Sequence, residues 1–372
     1  MLDIKIYGHS RSEKIGIIIS NFPKGFTINI KELQKFVDRR KSQDNIWSTP
    51  RKEQDKIELV SGASMINDVE FETNGDILEF SITNSDIKSD NLTEKEKPYL
   101  CRPSHADFVS YKKYGQIFPG GGPFSGRMMA SYAILGGIAS QILYKNGITI
   151  AAYITQIGKV KAKTYYDNTT FVDAGISNLH NKFNNKNFAF NDDLFRILDK
   201  NDREELISEI KNAAEKKDSV GGKIECVAYG VPQGLGGPIY NSFEGRLSYH
   251  LFAIPAVKAY ECGIGTNFAN SNASKVNDQF CKINDEVSTI TNYNGGIVGG
   301  LTNGEPIVFS VSIKPVPSIG IEQDFYNIKT EKIEKFAIKG RNDACIVPRA
   351  VVLVESALAI TILENMIDAK LI

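Results

Sequence analysis

The chain has 372 residues, 42% of them hydrophobic, and its 44 Lys plus Arg are balanced by 44 Asp plus Glu. That is enough apolar material for a large core, in one elaborate domain or two. A formal net charge of zero excludes a general pull toward nucleic acid or membrane, though not a local basic cleft.

Strands are predicted over 3–7 and 15–20, the second continuously apolar and therefore buried. After a turn at Pro23 and Gly25, extended backbone resumes at Thr27–Ile28. Asn29 then caps a helix over 30–40, with Glu32 three residues on as a capping box requires. Its basic end, Arg39-Arg40-Lys41, suits a helix C-terminus. Strands follow at 57–60 and 78–83, then a charged loop over 84–100. Gly120-Gly121-Gly122 precedes the clearest helix, about Ser125 to Leu143, whose small residues Ala130, Gly136, Gly137 and Ala139 would let another element approach closely. Further on, a strand is predicted over 148–156, an exposed stretch over 178–191, and helices over 192–199 and 202–216. A strand at 223–230 is followed by a helix over 243–259 that Pro255 must bend or end. A polar loop covers 267–278, a second glycine cluster 295–300, a strand 306–314, and a final helix runs from Arg349 to Ile367. Strands and long helices alternate without regular βαβ order, which favours α+β over a doubly wound sheet.

The cysteines, Cys101, Cys226, Cys262, Cys281 and Cys345, are odd in number and form no CxxC pair, so reduced thiols are expected and a structural zinc site is not. No two of the four histidines have metal-ligand spacing. Residues 1–7 carry no signal-like apolar run, and no apolar stretch reaches 18 residues without charge or break. The expectation is a soluble, cytoplasmic protein with no membrane or nucleic-acid partner.

Arginine presents a planar fork suited to carboxylate and phosphate oxygens. Arg39, Arg40, Arg51, Arg102, Arg127, Lys314, Arg341 and Arg349 all sit beside turn or glycine signals. Gly120 to Gly122 ahead of a helix offers free N–H groups, a generic anion site that a plain structural turn would equally explain. His105, in a non-periodic segment flanked by arginine, is the best histidine for a chemical role. Asp343 follows Gly340 in a turn and could equally make only local hydrogen bonds. A fixed site for an anionic, phosphorylated ligand is the reading that the residues favour.

Taken together, ordered blocks along nearly the whole chain resemble the chorismate synthase family. Arg39-Arg40, Thr49-Pro50-Arg51-Lys52-Glu53 and Leu59–Gly62 resemble its arginine-rich segment. Arg102-Pro103-Ser104-His105-Ala106-Asp107 is similar to RPGHAD, and Gly120–Arg127 to GGGRSSAR. Ile254–Glu261 reads IPAVKAYE, Gly295–Gly300 precedes Lys314-Pro315, and Gly340–Ala350 is close to GRHDPCVVPRA. The resemblance implies a β-α-β sandwich, here as one domain over 1–372, and elimination of phosphate from 5-enolpyruvylshikimate 3-phosphate to give chorismate. It also implies reduced FMN in a redox-neutral reaction, an association with NADP, and a homotetramer.

Carried onto this chain, the resemblance implies flavin contacts at Ser125, Pro255, Ala256, Gly299, Lys314, Pro315, Val316, Pro317, Ser318 and Arg341. Arg40, Arg51, Arg127 and Arg341 would face the substrate. His105 would assist flavin protonation, and Asp343 would help remove the substrate proton. The chain departs from the pattern at the site. Arg11 stands where the family has a second catalytic histidine, with His9 two residues earlier as a partial substitute if the strand continues extended there. Pro123-Phe124 replaces the Arg-Ser of the flavin segment, and Ile46 and Met128-Met129 replace polar family residues. Two readings follow: a working enzyme, or a paralogue that binds flavin or anions with impaired or altered chemistry.

Overall fold

The computed structural model describes residues 2–42, 47–48, 53–85, 98–167, 195–283, 285–339 and 343–372. Two antiparallel sheets enclose the long helices. The first contains β1 (Asp3–Tyr7), β2 (Lys14–Ser20), β3 (Ile57–Ser61) and β4 (Leu78–Thr83) in the order β1-β2-β4-β3. The second contains β5 (Thr149–Ile157), β6 (Val160–Lys161), β7 (Gly222–Tyr229), β8 (Val257–Cys262) and β9 (Ile307–Ile313) in the order β6-β5-β7-β9-β8. Helix α2 (Met129–Lys145) lies against the first sheet with helix α1 (Ile30–Asp38) packed on it, and α4 (Val347–Asp368) lies against the second sheet. Helix α3 (Phe243–Phe252) packs on α4 and β8. This sheet–helix–sheet layering is the α+β sandwich that the resemblance implies.

The two central helices meet because α2 is small where they cross. A Cβ on Gly136 would stand 2.1 Å from Ser356 Oγ on α4, and one on Gly137 would stand 2.7 Å from Leu33 on α1. Both glycines therefore permit close helix contact, as the small-residue run suggests. The resulting core is continuous from Leu2 to Met366. By length and composition α4 could cross a membrane, but nearly all of it is buried between α2, α3 and the second sheet.

Asn29 caps α1 as predicted, accepting from the Lys31 and Glu32 amides at 3.0 and 3.1 Å. The box is not reciprocated, because Glu32 pairs with Lys35 and the Asn29 amide donates to Gln141. The predicted 243–259 helix ends at Phe252, ahead of Pro255, and the chain then enters strand β8. No helix covers 195–199, where only a single 3-10 turn follows at Lys200–Asp202. The hairpins Ala63–Asn67 with Glu70–Thr73, Phe280–Ile283 with Glu286–Thr289, and Gln323–Asn327 with Lys332–Phe336 were not predicted. They are short and at most partly buried outside a few positions, so hydrophobic alternation is weak there. The loop 267–278 is largely exposed as expected, while most of 84–100 and all of 178–191 lie outside the described residues.

Candidate functional site

Two cavities share a wall. The larger, of about 320 Å³, is lined by the turn after α1 (Arg40, Lys41), by Glu53, Asp55 and Arg127, and by Asp343 and Arg349 at the start of α4. The second, of about 270 Å³, holds Arg102, His105, Lys314 and Phe124. Ser125, Gly126, Pro255, Ala256 and Pro317 line both. Most of the described residues predicted for the site therefore come together here, from segments distant in sequence. Arg51 and Arg341 lie outside the described residues, as does Ile46.

Local backbone explains this convergence. Strand β9 feeds directly into Lys314–Ser318, and the Lys314 amide donates to Ala256 O at 2.9 Å. Three non-glycine residues with positive φ line the cavities: Asp55 (48°), Ser104 (57°) and Ala256 (75°). Such backbone costs about 1–3 kcal/mol per residue and is held only where packing over-determines it, commonly around ligands.

In the larger cavity the arginines are already engaged. Arg127 is 7% exposed and pairs with Asp55 through Nη1, while its Nε donates to Asn84 Oδ1 at 2.9 Å. Its Nη2 is buried without a hydrogen-bond acceptor among the described residues, the Glu53 carboxylate standing 4.0 Å away. Burial works to raise the Asp55 pKa, but the positive charges of Arg40 and Arg127 outweigh it and hold the carboxyl below its ordinary value. Arg349 Nη1 donates to both Asp343 oxygens at 2.9 Å, and its Nε donates to Arg40 O at 3.1 Å. Arg39 points elsewhere, into an ion pair with buried Glu355 that Arg196 shares.

In the second cavity His105 Nε2 lies 2.8 Å from Ser318 Oγ. Burial first, then the charge of Arg102, pushes the imidazole pKa down to about 4, with Asp107 opposing. Arg102 is itself held by Asp107 through Nε and Nη2 at 2.7 and 2.8 Å. Lys314 Nζ donates to Ser104 O at 3.0 Å. Phe124 packs with Tyr114 and Phe118, so this wall is aromatic where the family has a serine.

Several sequence expectations change. Residues 8–13 are a turn rather than a continued strand, and His9 is exposed, its Nδ1 accepting from the Arg11 amide at 3.2 Å. The extended geometry that would set His9 beside Arg11 is absent. Ser10 Oγ donates to Gly120 O at 3.1 Å, and a Cβ at Gly120 would stand 3.1 Å from Arg11 Nε. Arg11 thus packs on the wall of the His105 cavity. The Gly120–Gly122 loop does not open α2 directly: Pro123–Met128 intervene and α2 begins at Met129. Gly299 is exposed on a hairpin joining Ile297–Val298 to Leu301–Thr302, which bonds through Gly300 O to the start of α3, and Gly299 does not line either cavity. The roles of Glu53, Asp55 and Asn84 were missed, because isolated polar residues in irregular segments give no periodic signal. Among the described residues no cluster of three or more His, Cys, Asp or Glu could hold a metal.

Comparison with known proteins decides the family. A family model described as chorismate synthase matches residues 2–367. The chain belongs to the chorismate synthase family. It is 35% identical to chorismate synthase of Dehalococcoides mccartyi (strain 195), covering 100% of this chain and 96% of the relative. It is 38% identical to that of Lancefieldella parvula (98% and 94% covered) and 37% identical to that of Methanococcus maripaludis strain C7 (98% and 95%). A crystal structure of chorismate synthase superposes with a TM-score of 0.73 over 99% of this chain and 92% of that one, at 23% identity, which bears on the fold. The site departures at Arg11 and Phe124 therefore sit within a chorismate synthase scaffold.

Proposed function

We propose that this chain is a working chorismate synthase that uses reduced FMN, eliminating phosphate from 5-enolpyruvylshikimate 3-phosphate to form chorismate. The observation that carries the reading is the buried, unsatisfied Nη2 of Arg127 inside an arginine-rich cavity. A buried donor without an acceptor is costly, and an anionic oxygen of a ligand would satisfy it. Arg40 and Lys41 stand beside it, a donor set suited to a phosphate and carboxylates.

The donor set also fits FMN. Pro255, Ala256, Pro315, Val316 and Pro317 form an apolar wall for a flat ring, with Ser125 and Lys314 at its polar margin. When bound, reduced FMN supplies transient electron density to the substrate. The chain's own residues do the rest. Arg40 and Arg127 hold the substrate anions and screen the leaving phosphate in a site shielded from water. Asp343 takes part in removing the substrate proton, and neutral His105, bonded to Ser318, can pass a proton at Nε2. Arg11 contributes a guanidinium, which screens charge but does not serve as a general acid.

The chain is proposed to act as one domain, in the cytoplasm, and as a homotetramer, in association with NADP. Gly299, away from both cavities of its own chain, fits a flavin contact only if a second copy brings its hairpin to the site. The reading is tested by supplying photoreduced FMN and the phosphorylated substrate anaerobically and measuring chorismate. Flavin binding without chorismate would favour the paralogue reading instead.

A further inference from the structure

We infer that Arg349 is a positioning residue of this site, holding the Asp343 carboxylate and the main chain at Arg40 with one guanidinium. The inference rests on the reading that Asp343 takes part in proton removal. Arg349 sits in the first turn of α4, between buried Pro348 and Ala350, so its base is rigid. One nitrogen, Nη1, donates to both Asp343 oxygens at 2.9 Å, and Nε donates to Arg40 O at 3.1 Å. All three residues line the same cavity. Without this guanidinium the carboxylate loses both Nη1 hydrogen bonds, and the main chain at Arg40, just past α1, loses its hydrogen bond from α4. A planar fork can hold two acceptors at fixed separation, whereas a lysine ammonium acts as a single point charge.

A purely architectural arginine would behave differently. Its loss would lower stability and weaken substrate and flavin binding alike. A positioning role acts on turnover through Asp343, because misplacement by about 1 Å near the reacting atoms costs on the order of a hundredfold. The experiment is a double-mutant cycle with Arg349→Gln and Asp343→Asn, read as kcat and KM for the phosphorylated substrate with reduced FMN. Expected for Arg349→Gln is a kcat loss of about ten- to a hundredfold with KM changed by less than about threefold. The double variant should be no slower than Asp343→Asn alone within about threefold, since the two residues act as a unit. Arg349→Lys should fall between the native protein and Arg349→Gln, and serves in the cycle if the glutamine variant does not fold. Additive losses, or a loss confined to KM, overturn the inference while leaving the reaction assignment intact. An unmodified chain that binds substrate and flavin but forms no chorismate overturns both.

Discussion

His105 Nε2 lies 2.8 Å from the Ser318 hydroxyl, joining the segment after Arg102 to the segment after β9. With its pKa depressed to about 4, the ring is neutral at pH 7 and can accept or donate according to tautomer. The unfolded chain takes up a proton on this residue near pH 6.5, while the folded chain does so only near 4. Stability therefore falls as pH drops through that window. His105→Asn should lessen the urea destabilisation between pH 7 and 5 by about 1–2 kcal/mol, and His105→Ala should lower turnover on the order of a hundredfold. Equal acid sensitivity of His105→Asn and the native chain would contradict the neutral-ring assignment.

Arg11 is the second point of attack. It packs beside Gly120 on the cavity wall and brings a guanidinium, a side chain that supplies hydrogen-bond donors and charge but does not serve as a general acid. Loss of a general acid costs about a hundred- to ten-thousand-fold, part of which a retained cation offsets. Slow native turnover is expected. Arg11→His should raise it at least about tenfold and give it a pH dependence between about 5.5 and 7.5. Native turnover matching that of histidine-bearing relatives assayed side by side would show that the position does not limit the reaction.

How far the site was legible in the sequence follows from what each residue depends on. Helix α2 announced itself by apolar spacing and small residues, and α4 by apolar residues sharing one face; the small residues foretold a close neighbour for α2, while its crossing with α4 at Gly136 and Ser356 came from the structure. His105, Arg40, Arg127 and Lys314 were found through ordered motif blocks. Asp55 was not, since its importance comes from Arg127 arriving from a segment 72 residues away. The His9 geometry misled for a related reason: side-chain alternation holds only while the strand does, and β1 stops at Tyr7.

The Asp55–Arg127 pair predicts a particular response to anions. Asp55 is 1% exposed and neutralises an arginine that is also buried. Removing one partner of a buried pair typically costs about 3–5 kcal/mol, because the other charge is left uncompensated. Asp55→Asn should accordingly lower the thermal midpoint of the ligand-free protein by several degrees, on the order expected from that loss. Inorganic phosphate or the phosphorylated substrate should then restore more stability to Asp55→Asn than to the native chain, by occupying the unpaired guanidinium. Equal stabilisation of both proteins would argue that anions do not reach Arg127.

Glu225 supplies a prediction remote from the two cavities. It lies on β7, where Ile224 and Cys226 enter the main core, while Val227 and Tyr229 join Tyr153 and Tyr165 in a separate cluster. Alternation along the strand thus puts a carboxyl, 5% exposed, among tyrosines. Burial pushes its pKa up to about 7 despite hydrogen bonds of 2.5 Å from Tyr153 Oη and from the Tyr165 amide, both to Oε1, and Asp167 adds to the rise. The folded state therefore binds this proton more tightly than the unfolded state, whose carboxyl titrates near the ordinary value of 4.5. The sign follows: the contribution is full below about pH 4.5 and is lost as pH rises through 7. A shift of this size corresponds to about 3 kcal/mol, an upper figure because the burial that raises the pKa also relaxes on ionisation. Glu225→Gln keeps an oxygen for both donors and removes the charge. Its urea unfolding free energy should match the native chain at pH 5 within about 1 kcal/mol and exceed it at pH 8 by about 2–3 kcal/mol. The comparison at two pH values separates charge from packing, since a packing defect would appear equally at both. A Glu225→Gln protein less stable than native at pH 8 would mean that the ionised carboxylate, held by Tyr153 and Tyr165, stabilises the sheet.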